Sequence, residues 1–334
     1  MSRELQPSQH SRDISSSTDY LGGKMASLGN WSFAAFPPFP ATVLPNYAVW
    51  NATNEFKNIT YQIGVSWPFE WKSREVTNKT ALTMYVTDGN AYGLTAAENF
   101  KRRKPVDAAQ PDSVVVTIGY PLSDSVYDLS RRFVDLRPPL PGPEGDPPSG
   151  ADDFIAFIDG TLRPWVQNTV FPSVTFTRDA LYGHSFGGVF VVYALIAYPG
   201  MFDTYLAATP TMVWNNGSLL DEVTRRWGTG NLQEPVLAYA NETGTTAAKP
   251  AVFITYGSAE QFPPRRRTET EAAFQERKAL WQSFKQTEVT QELFYRIQGS
   301  RRTRDVTLKE YVGQDHAGVA SSTIADGIGY FTDW

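Results

Sequence analysis

Five residues near the middle of the chain, Gly183-His184-Ser185-Phe186-Gly187, flank a hydroxyl with glycines two positions away on either side. This G-x-S-x-G spacing sets a serine on a sharp strand-to-helix turn and lifts its hydroxyl out of a sheet. The N-terminus of the following helix then faces any negative charge that develops there. A serine hydroxyl is a weak nucleophile until a neighbouring base takes its proton. The chain has only 3 histidines, so elimination can find that base. His10 lies in a polar N-terminal stretch, and His184 sits inside the turn with its side chain directed away from its neighbour's hydroxyl. His316 follows a β-rich run within Gly313-Gln314-Asp315-His316-Ala317-Gly318 and precedes the last helix, which makes it the candidate base. Together the serine and histidine point to acyl transfer, with the serine attacking an ester carbonyl.

A third group must hold the imidazole in the right tautomer and balance its charge after proton transfer. It should follow a strand and fall between the serine and the histidine. Glu260, three residues past the apolar run Ala251–Gly257, meets both conditions; Asp221, Glu222, Asp305 and Asp315 compete with it. The developing oxyanion needs two backbone N–H donors. Phe186, next to the serine, would give one. Gly89 or Asn90, in the turn Asp88-Gly89-Asn90 after the strand Leu82–Thr87, would give the other, since a glycine lets the backbone approach a substrate. Trp214 and Asp88 are the candidate substrate contacts.

The elements that must position these residues can be read from apolar runs and their spacing. Tyr47–Asn51 and Ile59–Ser66 are short, β-branched and aromatic, which predicts antiparallel strands opening a sheet. Buried-type runs follow at Leu82–Thr87, Ser113–Ile118, Ala180–Tyr182, Leu206–Ala208, Ala251–Tyr256 and Val306–Tyr311. Helical stretches separate them, notably toward Lys104, over Asp153–Val166, from Phe186 to Tyr198, and from about Ser321 to Tyr330. Apolar strands alternating with helices imply an α/β fold whose mainly parallel central sheet is covered by helices on both faces. Residues 1–28, Ser-rich and aperiodic, read as a mobile polar tail, and 29–334 as a single domain. The Pro-rich stretch Pro138–Pro148 reads as a surface loop.

Composition excludes several other functions. With no cysteine there can be no disulfide, thiolate metal site or cysteine nucleophile. Net charge is −5, and the basic clusters Lys101–Lys104, Arg265–Arg267 and Arg301–Arg304 lack the interleaved aromatics of a nucleic-acid surface. The cluster at 265–267 follows the acid-bearing loop and could meet an anionic substrate, although a solvated helix start is the simpler reading. No apolar run is long enough to span a membrane. The first residues lack the apolar core of a leader, so the six Asn-x-Ser/Thr sites read as chance products of composition. A soluble cytoplasmic protein is expected, with no cofactor or metal and a small-molecule ester substrate as its partner.

Several stretches in order resemble the esterase family related to enterochelin esterase and esterase D, in particular its siderophore-ester hydrolase branch. They are Tyr85–Asn90, Val115–Tyr120, Arg132–Pro139, Asp153–Trp165, the GHSFGG turn, Phe202–Asn216, Tyr256–Glu260 and the DHAG stretch at Asp315. The resemblance spans roughly residues 80 to 320 and implies an α/β-hydrolase fold. It also implies Ser185 as nucleophile, His316 as base, and Gly89 and Asn90 in the oxyanion loop. Glu260 follows less directly, because some members work with a serine–histidine pair. The implied activity is intracellular hydrolysis of ester bonds in an iron-loaded siderophore. The alternatives are a carboxylesterase or thioesterase for another bulky ester, and a binding protein that has lost catalysis. Thr209-Pro210-Thr211 stands where the family often has Ser-Pro-Ser, Val213-Trp214 where a Trp pair is common, and Gly160-Thr161 where Glu-Leu is commoner. These departures are expected on the substrate side, without touching the catalytic set.

Overall fold

One eight-stranded sheet carries the molecule, with its strands in the spatial order 47–54, 59–66, 113–119, 79–87, 174–184, 204–208, 251–257 and 305–311. A computed structural model describes residues 44–121, 123–142, 145–227 and 249–333. The tail expected at 1–28, with His10, and two of the six Asn-x-Ser/Thr sites, at Asn30 and Asn241, lie outside those residues. Strands β1 (Tyr47–Asn54) and β2 (Ile59–Ser66) form an antiparallel hairpin at one edge, and β2 runs antiparallel to β4 (Ser113–Gly119). All other neighbours are parallel: β3 (Lys79–Thr87), β5 (Val174–His184), β6 (Thr204–Ala208), β7 (Ala251–Gly257) and β8 (Asp305–Tyr311). The expected α/β architecture is present, with helices on both faces and an α/β-hydrolase strand order.

The helices sort onto two faces through their apolar residues. On one face α1 (Gly89–Val106) and α10 (His316–Thr332) cover a core that includes Met84, Tyr182, Leu206 and Ile324. Helix α2 (Leu129–Asp135) buries only Arg132 and Asp135, and the other face is covered by α3 (Ala151–Phe157), α5 (Phe186–Ala197), α6 (Ser218–Trp227) and α9 (Gln286–Ile297). Two π-helical turns, Ile158–Leu162 and Val166–Val170, flank the single turn α4 (Arg163–Trp165) and continue α3. Phe186 through Ile196 of α5 are all buried, as expected of a helix that is apolar all round. The short α7 (Ser258–Gln261) and the longer α8 (Glu271–Ser283) fill the connection after β7.

Parallel register brings the chemistry to one edge. His184 pairs with Ala208, Ala208 with Thr255, and Gly257 with Tyr311, so the loops after β3, β5, β6, β7 and β8 open at the carboxyl ends of the strands. That edge is where open α/β sheets bind ligands.

Three expectations are corrected. Strand β5 begins at Val174 rather than Ala180, because its first half alternates between exposed and half-buried positions and lacks a continuous apolar run. The last helix begins at His316 rather than Ser321: the Asp315 carboxylate accepts from the Gly318 N–H at 2.9 Å and caps it five residues earlier. Between β7 and β8 the sequence predicts only a solvated helix start near Arg265–Arg267, whereas three helices, α7, α8 and α9, are found.

Candidate active site

The strand-to-helix turn at Ser185 is strained in the manner its glycines permit. Ser185 sits at φ 59°, ψ −116°, between the end of β5 and the start of α5. A Cβ on Gly183 would lie 2.2 Å from the Gly187 carbonyl oxygen, so only glycine allows strand and helix to meet this closely. The loop after β6 braces the turn: Ser185 N–H donates to the Ala208 carbonyl at 3.0 Å and Thr211 N–H to the Ser185 carbonyl at 3.3 Å. The Ser185 hydroxyl pairs with Thr211 Oγ1 at 3.2 Å, and not with His316. Catalytic hydrogen bonds commonly close only when substrate is bound.

Glu260 and His316 are in direct contact. Gly257 caps α7, and its N–H donates to Glu260 Oε1 at 2.6 Å, which fixes the carboxylate in the first turn of its own helix. Oε2 accepts from the Thr209 hydroxyl at 2.6 Å and from His316 Nδ1 at 2.6 Å. The carboxylate is fully buried, whereas the imidazole remains 25% exposed. With Nδ1–H committed to Glu260, His316 Nε2 keeps its lone pair and can take a proton. The competing acids are occupied elsewhere: Asp315 caps α10, Glu222 binds Arg225 and Arg226, Asp221 faces Arg296, and Asp305 accepts from Tyr330.

Thr209 and Thr211 correct the expectation that the Thr-Pro-Thr departure leaves the catalytic set untouched. One hydroxyl binds the acid and the other binds Ser185. Both keep the hydroxyl that serine would supply, and Thr209 holds a positive φ of 39° at the end of β6.

His184, eliminated as a base on sequence, has a different use. Its Nε2–H donates to the His316 carbonyl at 2.7 Å, which leaves Nδ1 to accept from the Tyr92 hydroxyl at 2.8 Å. Tyr127 in turn donates to Tyr92. Burial, reinforced by the nearby His316, lowers the His184 pKa to about 3, so it stays neutral while its ring packs 4.6 Å from that of His316. No spacing in the sequence announces this chain of Tyr127, Tyr92 and His184, because it joins α1, β5 and α10 through tertiary packing alone.

On the opposite side of Ser185, two helix N-termini converge. Helix α1 starts at Gly89 behind Asp88, whose φ is 51°, and α5 starts at Phe186. First-turn N–H groups have no partner within their helix, and those of Gly89, Asn90 and Phe186 are of this kind. A Cβ on Gly89 would lie 2.8 Å from the Ile118 nitrogen, so the loop packs flush against β4. Asn90 is held at both ends of its amide: Nδ2 donates to the Tyr120 carbonyl at 2.9 Å, and the Tyr120 N–H donates to Oδ1 at 2.8 Å. Its side chain is thereby used up, leaving the backbone N–H.

Asp88, the other expected substrate contact, is held within the protein. Its carboxylate is buried under the loop and accepts from Arg132 Nε at 2.7 Å, while Arg132 Nη2 reaches the His184 carbonyl at 3.3 Å. Burial pushes the Asp88 carboxyl up, and the guanidinium opposes that shift. Arg132 therefore ties the base of the Gly89–Asn90 loop to the serine turn. Trp214 is half-buried, its ring 5.7 Å from that of Phe186 and 5.6 Å from the Arg137 guanidinium, so it flanks the Phe186 side of the site.

A serine at a strained turn, a histidine held by a buried carboxylate, and converging N–H donors define a serine hydrolase of α/β-hydrolase architecture. A family model described as "Putative esterase" matches residues 61–243. The siderophore enterobactin esterase of Emericella nidulans is 37% identical over 317 residues, covering 92% of this chain and 99% of that protein. The siderophore triacetylfusarinine C esterase of Aspergillus fumigatus is 33% identical, covering 87% of this chain and 95% of the relative. Among solved structures, siderophore hydrolase EstA from Aspergillus nidulans superposes with a TM-score of 0.77 at 35% identity, covering 91% of this chain and 99% of that one. The chain belongs to this esterase family.

Proposed function

We propose that this esterase hydrolyses ester bonds of a siderophore, with Ser185 as nucleophile, His316 as base and Glu260 as the acid that orients it. The observation that carries the assignment is the 2.6 Å contact of His316 Nδ1 with a fully buried Glu260, beside a serine at φ 59°. Ser185 Oγ attacks the ester carbonyl carbon as His316 Nε2 takes its proton. The oxyanion is stabilised by the N–H groups of Phe186 and of Gly89 or Asn90. Collapse breaks the carbon–oxygen bond to the alcohol, and His316 returns the proton to the departing alkoxide. Water then repeats the sequence on the acyl-serine, giving the carboxylate and free Ser185.

The siderophore substrate is supported by relatives whose names carry that activity and which align with nearly the whole chain. In this reading iron arrives bound to the substrate and is released when the chelator is cut open. We place this work in the cytoplasm, where released iron would be used; no helix among the described residues is long and apolar enough to cross a membrane. Contacts remote from the scissile bond can be used to orient it, so small esters should lose kcat as well as affinity. The test is kcat/KM for cyclic ester siderophores, with and without iron, beside p-nitrophenyl acetate. A clear preference for a siderophore supports the reading. Equal turnover of the acetate and every siderophore tried would leave an esterase of another substrate.

A further inference from the structure

A cavity of about 440 Å³ opens directly beside His316, lined by Glu260, Pro263, Arg266, Arg277, Asp315 and Trp281, among others. The Trp281 ring lies 5.7 Å from the His316 ring at 42°, forming a flat wall next to the imidazole. Trp281 sits near the end of α8, a helix with no buried side chain, so this wall stands away from the body of the sheet.

The charges around the cavity are not equivalent. Arg277 is neutralised by Glu269 through two bonds of 2.7 Å. Arg265 is taken up by the Glu269 carbonyl and by Glu271 at 3.1 Å. Glu260 is spent on Gly257, Thr209 and His316, and Asp315 is turned onto the Gly318 N–H. Arg266 bonds through its backbone N–H to Glu269 at 3.1 Å, and among the described residues its guanidinium has no carboxylate partner. The cavity thus combines an aromatic wall with a guanidinium that stands outside any ion pair, its charge acting through space on nearby Glu269.

The direction of proton transfer says which half of a substrate this cavity meets. The proton held on His316 Nε2 must reach the departing alkoxide, so the alcohol oxygen lies toward the imidazole. The carbonyl oxygen lies toward Phe186 and the Gly89–Asn90 loop, on the other side. We propose that the cavity is the alcohol-side subsite, in which Trp281 and Arg266 select esters whose leaving alcohol carries a planar anionic group. A deprotonated catecholate or hydroxamate arm of a chelator has that chemistry. The inference rests on the proposed ester hydrolysis at Ser185 and deepens it.

The test uses two ester pairs and the full-length protein. The first pair, 4-carboxyphenyl and 4-carbamoylphenyl butyrate, differs only in charge on the alcohol half. The second, phenyl esters of 4-carboxybenzoate and 4-carbamoylbenzoate, differs only in charge on the acyl half. Intrinsic reactivity cancels when the anion-to-neutral ratio of kcat/KM is compared between variants. Arg266→Gln is expected to lower that ratio about tenfold for the first pair, the scale of one partly exposed charge-assisted contact, and to leave the second pair unchanged. Arg265→Gln, whose guanidinium is already paired, should move neither. An unchanged first ratio in Arg266→Gln overturns the subsite, as does an equal fall in both pairs, which would mean a diffuse field. If the wild-type protein turned over none of these small esters, the function reading would stand or fall on the siderophore assay alone. Binding of 4-hydroxybenzoate, the freed alcohol, would then decide the subsite by calorimetry. About tenfold weaker binding by Arg266→Gln would sustain it, and equal or absent binding would overturn it.

Discussion

The two flanks of Ser185 are built on opposite principles. The flank formed by Asp88, Gly89, Asn90 and Arg132 is closed: a buried ion pair at 2.7 Å beneath the loop, and an amide locked at both ends to Tyr120. The flank formed by Glu260, His316 and Trp281 is open on one side, with the imidazole 25% exposed and a cavity beside it. The first needs fixed dipoles that do not reorganise when charge appears. The second must pass a proton to an alcohol and then let that alcohol leave. The difference teaches that rigidity here follows charge development, and space follows the leaving group.

Removing the central pair should have the largest effect. Ser185→Ala and His316→Ala are each expected to lower kcat by roughly 10⁶-fold, the scale seen when members of a concerted triad are deleted, with circular dichroism unchanged. Substantial turnover by His316→Ala would leave the chemistry without its base, since His184 is committed at both ring nitrogens. Glu260→Gln comes next, with kcat lower by about 10²- to 10⁴-fold and KM little changed. Near-normal turnover would mean a working serine–histidine pair without an acid.

The closed flank should break as structure before it breaks as chemistry. Arg132→Met strands the buried Asp88 carboxylate and should cost roughly 3–5 kcal/mol in urea unfolding. Adding Asp88→Asn to it should recover much of that loss. Equal stability of Arg132→Met and wild type would show that the ion pair does not hold the oxyanion loop.

The smallest effect concerns pH. His184 titrates near 3 in the folded protein and near its ordinary 6.5 when unfolded. Between those values the unfolded chain binds the extra proton, so stability rises with pH through this window and is lost as pH falls below about 6.5. His184→Gln should flatten that slope by up to about 1.4 kcal/mol per pH unit, as read from urea unfolding at several pH values. An unchanged slope would assign the acid sensitivity to other groups.

How much of this was legible in the sequence depends on how local each feature is. Strand β2 is legible at its observed bounds and the serine turn from five consecutive residues, because β-branched and aromatic composition and glycine spacing are local patterns. Glu260 could be singled out because it closes a short turn directly after an apolar strand. The Arg132–Asp88 pair joins residues 44 positions apart, and the Tyr92–His184 bond spans 92; nothing in composition or period reports such contacts. Helix α8 is legible only as a solvated start near Arg265–Arg267: it buries no side chain, so no apolar stripe gives its bounds. The threonines at 209 and 211 stand out as departures from the family pattern, but their roles depend on which loops β6 and β7 bring together.

The most direct test of the central claim is covalent trapping with a fluorophosphonate, followed by intact mass and peptide mapping. A single adduct is predicted, on the peptide carrying Ser185, absent in Ser185→Ala and formed far more slowly in His316→Ala. An adduct on another residue, or labelling of Ser185→Ala at the wild-type rate, would contradict the account.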